Sequence, residues 1–384
     1  MPTLTVIVEQ VLARVPGGSG RHAAQLTSAL VAGAPDGWRV RLVTAWHRDV
    51  SAARSPGADG PVRLPAGARA LAVLWQYGLP PWPHGDSVHA MTPLAPRRNG
   101  YSTGFGRRTA GGRRGTPLVA TVQDAIPWTH PETLTPRGVA WHRAMITRLA
   151  READAIVVPT AATRAALAER FPAAADRLQL IPLGVTPLAV PLDAIERRSR
   201  LGLPADTPYV LFIGTVEPRK GLDVLLPAMN RHEAGGTDLV LVGARGWGEQ
   251  DAAALASAAG LDAARLHLLG RVDDADLGAV LAGAAALALP SRAEGFGLPL
   301  VEAMAAGVPT VHTDIEVLRE VGGGAGIAVP VGNAEALAEA LGRVLADPAL
   351  ADRMRVAGRA VAAGYSWAAA ARQTWELHLG LAGG

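Results

Sequence analysis

The chain has 384 residues, enough for two ordinary domains, and its 49% apolar and 18% charged content fits a soluble globular protein. It has no cysteine, which excludes a disulfide framework and a thiolate metal site, and its ten histidines show no HxxxH pair or tight cluster, so no metal is expected. Residues 1–185 carry 21 arginines against 11 acids, a net of +10, whereas residues 186–384 carry 16 basic residues against 23 acids, a net of −7.

In chain order, the start "MPTLTVIVEQ" places no basic residues before its short apolar run, so no secretory signal is expected. Uncharged stretches such as "LGAVLAGAAALALPS" are too short to span a bilayer, and a cytoplasmic protein is the expectation. In the first half, strands are expected at "LTVIVE", "RVRLVTA", "LVATVQ", "DAIVVP" and "LQLIPLG". Helices are expected around "RHAAQLTSALVAG", "RGVAWHRAMITRLAR" and "TAATRAALAERF". The second half repeats the alternation with strands at "YVLFIG", "DLVLVGA", "RLHLLG", "AALALP", "PTVHTD" and "GIAVPV". Continuous Val/Ile/Leu runs between helices are the mark of parallel strands covered on both faces. Two such series imply two doubly wound, Rossmann-like α/β domains, with the boundary in the Pro-rich stretch "GVTPLAVPLDAIERRSRLGLPADTP". Ligands of such sheets bind at the carboxyl ends of the strands, and with two domains the natural site is a cleft between them.

Six arginines crowd into "APRRNGYSTGFGRRTAGGRRGTP", a Gly-rich segment that reads as a loop. Peripheral contact with an anionic membrane, or with a phosphorylated acceptor, is one reading of this basic half. A solvated loop with biased codons reads equally well. Nucleic acid is disfavoured, because no aromatic residues interleave the arginines.

The only lysine in the chain, Lys220, stands in "VEPRKGLDV" beside Arg219, between a strand and a helix. A helix N-terminus already favours anions. Two cations there read as a clamp on a diphosphate, with arginine forked and lysine a compact point charge. In "PSRAEGFGLPLVEAMAAGVP", Pro299 is expected at the first helical position and Gly307 at the helix end. The backbone N–H groups of Phe296, Gly297 and Leu298 would then point out of a helix N-terminus. Glu294 is expected in the loop and Glu302 in the first turn, eight residues on, where both carboxylates can accept from sugar hydroxyls.

"VPGGSGRHA" offers Gly17, Gly18 and Gly20 as a loop where backbone can approach a pyrophosphate, a plain loop being the alternative. It formally fits a dinucleotide fingerprint, but the second strand ends without the acidic residue that a nicotinamide nucleotide's ribose needs. "TVQDAIPWTHPETLT" gathers Gln123, Asp124 and His130 in one polar loop suited to an acceptor or to the donor sugar. In "VDDADLGAV" the acidic pair reads as a helix cap before it reads as a metal site. No P-loop signature is present.

Taken together, "GGSGR", "VQDAIPWTHPE", "GTVEPRKGLD", "PSRAEGFGLPLVEAMAAGVPTV", "LREVGGGAG" and "YSWAAAARQTWEL" resemble the family 4 glycosyltransferases, retaining enzymes of the GT-B architecture, over most of the chain. The resemblance implies an acceptor-side domain over residues 1–188, a nucleotide-sugar domain over 189–365 and a final helix over 366–384 that returns to the first. It implies that Arg219 and Lys220 hold the diphosphate, and that Glu294 with the backbone at Phe296–Leu298 holds the sugar hydroxyls. Glu302 would contact the ribose, and the glycines at 17, 18 and 20 the phosphates. The implied activity is metal-independent, retaining transfer of a hexose, with mannose from GDP-mannose preferred, onto a cell-envelope glycan or lipid-linked acceptor. No further cofactor is implied. The family commonly has a His-Asp pair where this chain reads Gln123–Asp124. Glutamine cannot carry charge or shuttle a proton, so no histidine base is assigned, and His130 is left as a substitute.

Two carboxylates placed as nucleophile and acid/base, as in retaining hydrolases, are not visible. Same-face attack, with the departing phosphate assisting deprotonation of the acceptor hydroxyl, is therefore expected. The alternatives are a GT-B epimerase and a non-catalytic sugar-nucleotide binding protein. A phosphorylase would need a second lysine for pyridoxal phosphate.

Overall fold

The computed structural model describes residues 1–97, 115–204, 207–244 and 251–383. Two compact units emerge: residues 1–184 together with 366–384, and residues 185–365. The division falls at 184/185, four residues before the expected 188/189. The six-arginine stretch lies mostly outside the described residues.

The first unit is built on a seven-stranded parallel sheet. Its strands are β1 (Thr3–Ile7), β2 (Arg39–Thr44), β3 (Asp59–Arg63), β4 (Ser87–Ala90), β5 (Leu118–Thr121), β6 (Ala155–Val158) and β7 (Leu178–Leu180). Their spatial order is β3-β2-β1-β4-β5-β6-β7. Five of the seven coincide with apolar runs expected from the sequence. The other two do not read as strands: β3 is "DGPVR", with a proline and three exposed positions, and β4 is four residues containing Ser87 and His89. An edge position tolerates the first. The second is fully buried because its polar side chains find partners inside.

Those partners come from the end of the chain. Helix Trp367–Gly383 belongs to the first unit although it follows the second in sequence. It packs on helix Gly17–Ala32: Trp375 is buried with Leu4, Leu26 and Leu30, and its indole Nε1 donates to the Leu30 carbonyl at 2.9 Å. His378 sits fully buried beneath it. Its Nδ1 meets Ser87 Oγ at 2.7 Å, its Nε2 meets His89 Nδ1 at 3.0 Å, and His89 Nε2 meets Thr121 Oγ1 at 2.9 Å. Burial holds the pKa of His378 down at about 3 and that of His89 well below its usual range, so both rings are neutral. At Gly184 any Cβ would lie 2.2 Å from the Trp367 backbone N, so only glycine lets the last helix seat there.

The second unit carries a six-stranded parallel sheet: β8 (Tyr209–Ile213), β9 (Asp238–Val242), β10 (Leu266–Gly270), β11 (Ala284–Leu289), β12 (Thr310–Thr313) and β13 (Ile327–Val329), in the order β10-β9-β8-β11-β12-β13. All six coincide with expected strands. Both sheets thus follow the doubly wound pattern, in which strand order reverses beside the first strand: between β1 and β4 in one unit, between β8 and β11 in the other. The cores lie on both faces of each sheet, as the continuous apolar runs require. Asp273 caps helix Asp274–Gly283 by accepting from the Asp276 N–H at 2.8 Å, the role read from "VDDADLGAV".

Candidate active site

In the second unit, the loops that leave β8 and β11 lie side by side at the strand-order reversal. The β8 loop ends in a 3-10 turn, Pro218–Lys220, followed by Gly221 at φ 71° and then helix Leu222–Met229. Gly221 is forced both by this left-handed backbone and by space, since a Cβ there would stand 2.1 Å from the Pro290 carbonyl oxygen. Arg292 fastens the two loops. Its N–H donates to the Arg219 carbonyl at 2.8 Å, and its guanidinium forks onto Asp223 at 2.8 and 2.6 Å while also reaching the Pro218 carbonyl.

This fastening brings Arg219, Lys220 and Glu294 into one buried cluster. Lys220 Nζ donates to Glu294 Oε1 at 2.5 Å and Arg219 Nη1 to Glu294 Oε2 at 3.0 Å. Arg219 also reaches the Ala293 carbonyl at 2.8 Å and Glu217 Oε1 at 2.6 Å. Ser291 Oγ donates to Glu294 Oε1 at 2.7 Å. Lys220 and Glu294 are only 8% and 7% exposed, so these are pairs in a low-dielectric setting, where removing one partner costs about 3–5 kcal/mol.

Burial opposes ionisation of Glu294, yet Lys220 and Arg219 outweigh it and hold its pKa at about 2. Burial and the neighbouring Arg219 lower the pKa of Lys220, against the pull of Glu294. Two cations against Glu217 and Glu294 make the cluster formally balanced. Sequence reasoning named Arg219, Lys220 and Glu294 together as the catalytic residues but gave Glu294 to the sugar hydroxyls and not to the two cations, and it missed Ser291 and Glu217. Ser291 and Glu217 stand three and two residues from members it did name.

The β11 loop leads into helix Leu298–Ala306, capped by Gly297 at φ 92° and closed by Gly307 at φ 74°. Pro299 occupies the first turn, one residue later than expected. The N–H groups of Phe296, Gly297 and Leu298 take no partner among the described residues, as a helix start leaves them. Phe296 itself is buried, edge-on to Tyr365 with ring centroids 5.3 Å apart. Because the helix begins at Leu298, Glu302 is its fifth residue and buried at 7% exposure, not in the first turn.

In the first unit the glycines are not in a loop. Gly17, Gly18 and Gly20 form the first turn of helix Gly17–Ala32. A Cβ on Gly20 would lie 2.3 Å from Pro16 Cβ, so this glycine serves close packing of the turn against its own cap. Gln123 follows β5, and its Nε2 donates to Nδ1 of His22 at 2.8 Å. His22 is buried, its pKa lowered to about 4 by desolvation, and it lies 6.0 Å from the Trp367 ring. His22 was missed because its partner is 101 residues away in sequence. Asp124 accepts from the Ile126 N–H at 3.0 Å. Gln123 and Asp124 line one pocket of about 400 Å³. His130 lies elsewhere, beyond helix Ile126–Thr129 with its Nδ1 on Thr129 Oγ1, and does not line that pocket.

The chain matches the family model described as "Glycosyl transferases group 1" over residues 193–361 and that described as "Glycosyltransferase Family 4" over residues 16–187. A phosphatidyl-myo-inositol mannosyltransferase of Mycobacterium leprae is 30% identical, covering 95% of this chain and 93% of its own. The chain belongs to glycosyltransferase family 4. An O-antigen chain mannosyltransferase B of Escherichia coli is 31% identical to this glycosyltransferase over 67% of the chain and 68% of the relative. Among solved structures, a sucrose-phosphate synthase from Thermosynechococcus elongatus matches with a TM-score of 0.73 at 25% identity over 99% of each chain. The Anabaena protein HepE, solved in complex with UDP-glucose, also reaches 0.73 at 21% identity over 98% of this chain and 99% of its own, and shares the fold. The two-domain GT-B class expected from the sequence is the observed one.

Proposed function

We propose that this glycosyltransferase moves a hexosyl group, with mannose preferred, from a nucleoside diphosphate sugar to a hydroxyl of a glycan or lipid-linked acceptor, with retention of configuration and without a metal. The observation that carries the reading is the Arg219–Lys220–Glu294 cluster beside the unpartnered N–H groups of helix Leu298–Ala306. As the glycosidic bond breaks, negative charge grows on the diphosphate leaving group. Two fixed cations and a helix N-terminus stabilise that charge without reorganising. In the free enzyme Glu294 occupies both cations. An arriving diphosphate shares them, and Glu294 is released toward the sugar hydroxyls, joining the two roles the residue was given. Retention follows from same-face attack, the departing phosphate helping to take the acceptor proton.

The mannose preference is supported by the names of the mycobacterial and Escherichia coli relatives, and a nucleotide-sugar donor by the ligand in the HepE structure. A lipid-linked acceptor and a peripheral seat on an anionic membrane are supported by the +10 net charge of residues 1–185. Among the described residues no helix is long and apolar enough to cross a membrane. The test is proton NMR of the reaction with GDP-mannose and a mannosyl acceptor. An α-linked product appearing with GDP is expected. A β-linked product, a trapped sugar–enzyme adduct, or donor isomerisation with no acceptor present would refute the reading.

A further inference from the structure

Gly221, at φ 71°, is a one-residue joint between the 3-10 turn that carries Arg219 and Lys220 and helix Leu222–Met229. On the turn's side, the Lys220 N–H donates to the Glu217 carbonyl at 3.0 Å and the Gly221 N–H to the Pro218 carbonyl at 3.3 Å. On the helix's side, the Gly221 carbonyl accepts from the Val224 N–H at 3.0 Å. The peptide before Gly221 thus belongs to the turn and the peptide after it to the helix. The angle between them is set by the two torsions of a glycine, the residue with the widest choice of torsions. None of these bonds spans the joint.

Arg292, on the neighbouring β11 loop, does span it. It holds the turn by donating from its N–H to the Arg219 carbonyl at 2.8 Å and from Nη1 to the Pro218 carbonyl at 2.9 Å. It holds the helix by forking onto Asp223 at 2.8 and 2.6 Å. Arg292 also stands two positions before Glu294, the partner of both cations. The Arg292 and Asp223 side chains are 31% and 44% exposed, a setting in which an ion pair adds little to folding. What the fork adds is direction, because a planar guanidinium on a carboxylate fixes both groups. A carboxylate in a first helical turn also suits the helix dipole, but that role needs no partner on another loop.

We propose that Arg292 and Asp223 are positioning residues for the diphosphate clamp: they fix the angle at Gly221, and with it the places of Arg219 and Lys220, so that the site tells a nucleoside diphosphate from a monophosphate. This rests on the proposed diphosphate reading of the cluster and adds to it two residues that act through the backbone of the turn. A clamp stabilises charge only where its cations already stand in place. A joint free to swing therefore weakens the hold on the terminal phosphate and leaves the other contacts of the nucleotide as they were.

The experiment is a calorimetric titration of the full chain with GDP, GMP, UDP and UMP, on the parent, Asp223→Ala, Asp223→Glu and Arg292→Lys, with the melting temperature of each recorded. A parent that binds neither diphosphate more tightly than its monophosphate overturns the diphosphate reading, and this inference with it. A parent that discriminates beside variants that discriminate equally well overturns the positioning role alone. The expected parent prefers at least one diphosphate by about tenfold or more, the size of a charge-assisted hydrogen bond. Asp223→Ala melts with the parent, binds the monophosphate as the parent does, and loses the preference severalfold. Asp223→Glu, which can still accept the fork, keeps most of it. Arg292→Lys keeps the charge and the backbone bond but not the fork, and repeats the loss independently of Asp223. Diphosphate and monophosphate binding weakened alike, or a loss in Asp223→Glu as large as in Asp223→Ala, would also overturn the assignment.

Discussion

The two sheets share one topology yet bury opposite chemistry where their strand order reverses. At β8/β11 the buried polar groups are fully charged and paired, Lys220 and Arg219 on Glu294. Around β1/β4/β5 the buried titratable rings His22, His89 and His378 are neutral, linked by hydrogen bonds that need no net charge. The fold therefore does not dictate the chemistry of its sites; the loop residues after each strand do. One unit buries charged pairs there, the other neutral rings.

The comparison breaks most sharply at Lys220. Lys220→Ala is expected to lower the transfer rate on the order of 10²–10³-fold, as loss of one leaving-group contact does. A rate within threefold of the parent, by coupled assay of nucleoside diphosphate release, would remove the cationic unit from the chemistry. Next in size is an acid response centred on the first unit, where burial lowers the pKa values of His22, His89 and His378, against His312 alone among the second unit's histidines. His22 and His378 have pKa values of about 4 and 3 when folded against an ordinary 6.5, so the unfolded chain binds their protons first. Stability is complete above pH 6.5 and falls as pH drops toward 4, by on the order of several kcal/mol. Glu294, at about 2 against an ordinary 4.5, begins to contribute a loss only below pH 4.5. Hydrogen exchange between pH 6.5 and 5 should show helix Trp367–Gly383 opening while the β8 and β11 loops keep their protection. Equal loss in both would contradict the contrast.

Gly221→Ala should cost about 1–3 kcal/mol of stability through its left-handed backbone alone, and more where the Pro290 carbonyl cannot give way, with a matching fall in transfer. Smallest is Gln123→Ala, which leaves the buried Nδ1 of His22 unpaired at about 1–3 kcal/mol. Thermal denaturation of each variant checks both figures.

What the sequence made legible follows from range. All six strands of the second unit and the loop positions of Arg219 and Lys220 are local patterns of apolar runs and glycine punctuation. Strands β3 and β4 were not legible, because "DGPVR" and "SVHA" become strands only through neighbours far along the chain. Glu302 was misplaced by one residue, just past the first turn, since the helix starts at Leu298 after Gly297 and not at Pro299. The ion pairs of Glu294 and the bond between His22 and Gln123 span 74 and 101 residues, beyond any pattern of spacing.

The most direct measurement of the diphosphate clamp is the shift in melting temperature of the wild-type chain with GDP against GMP at equal concentration, repeated on Arg219→Ala. The account predicts that GDP protects clearly more than GMP and that the difference collapses in the variant. Equal protection by the two nucleotides, or a difference that survives the loss of Arg219, would contradict it.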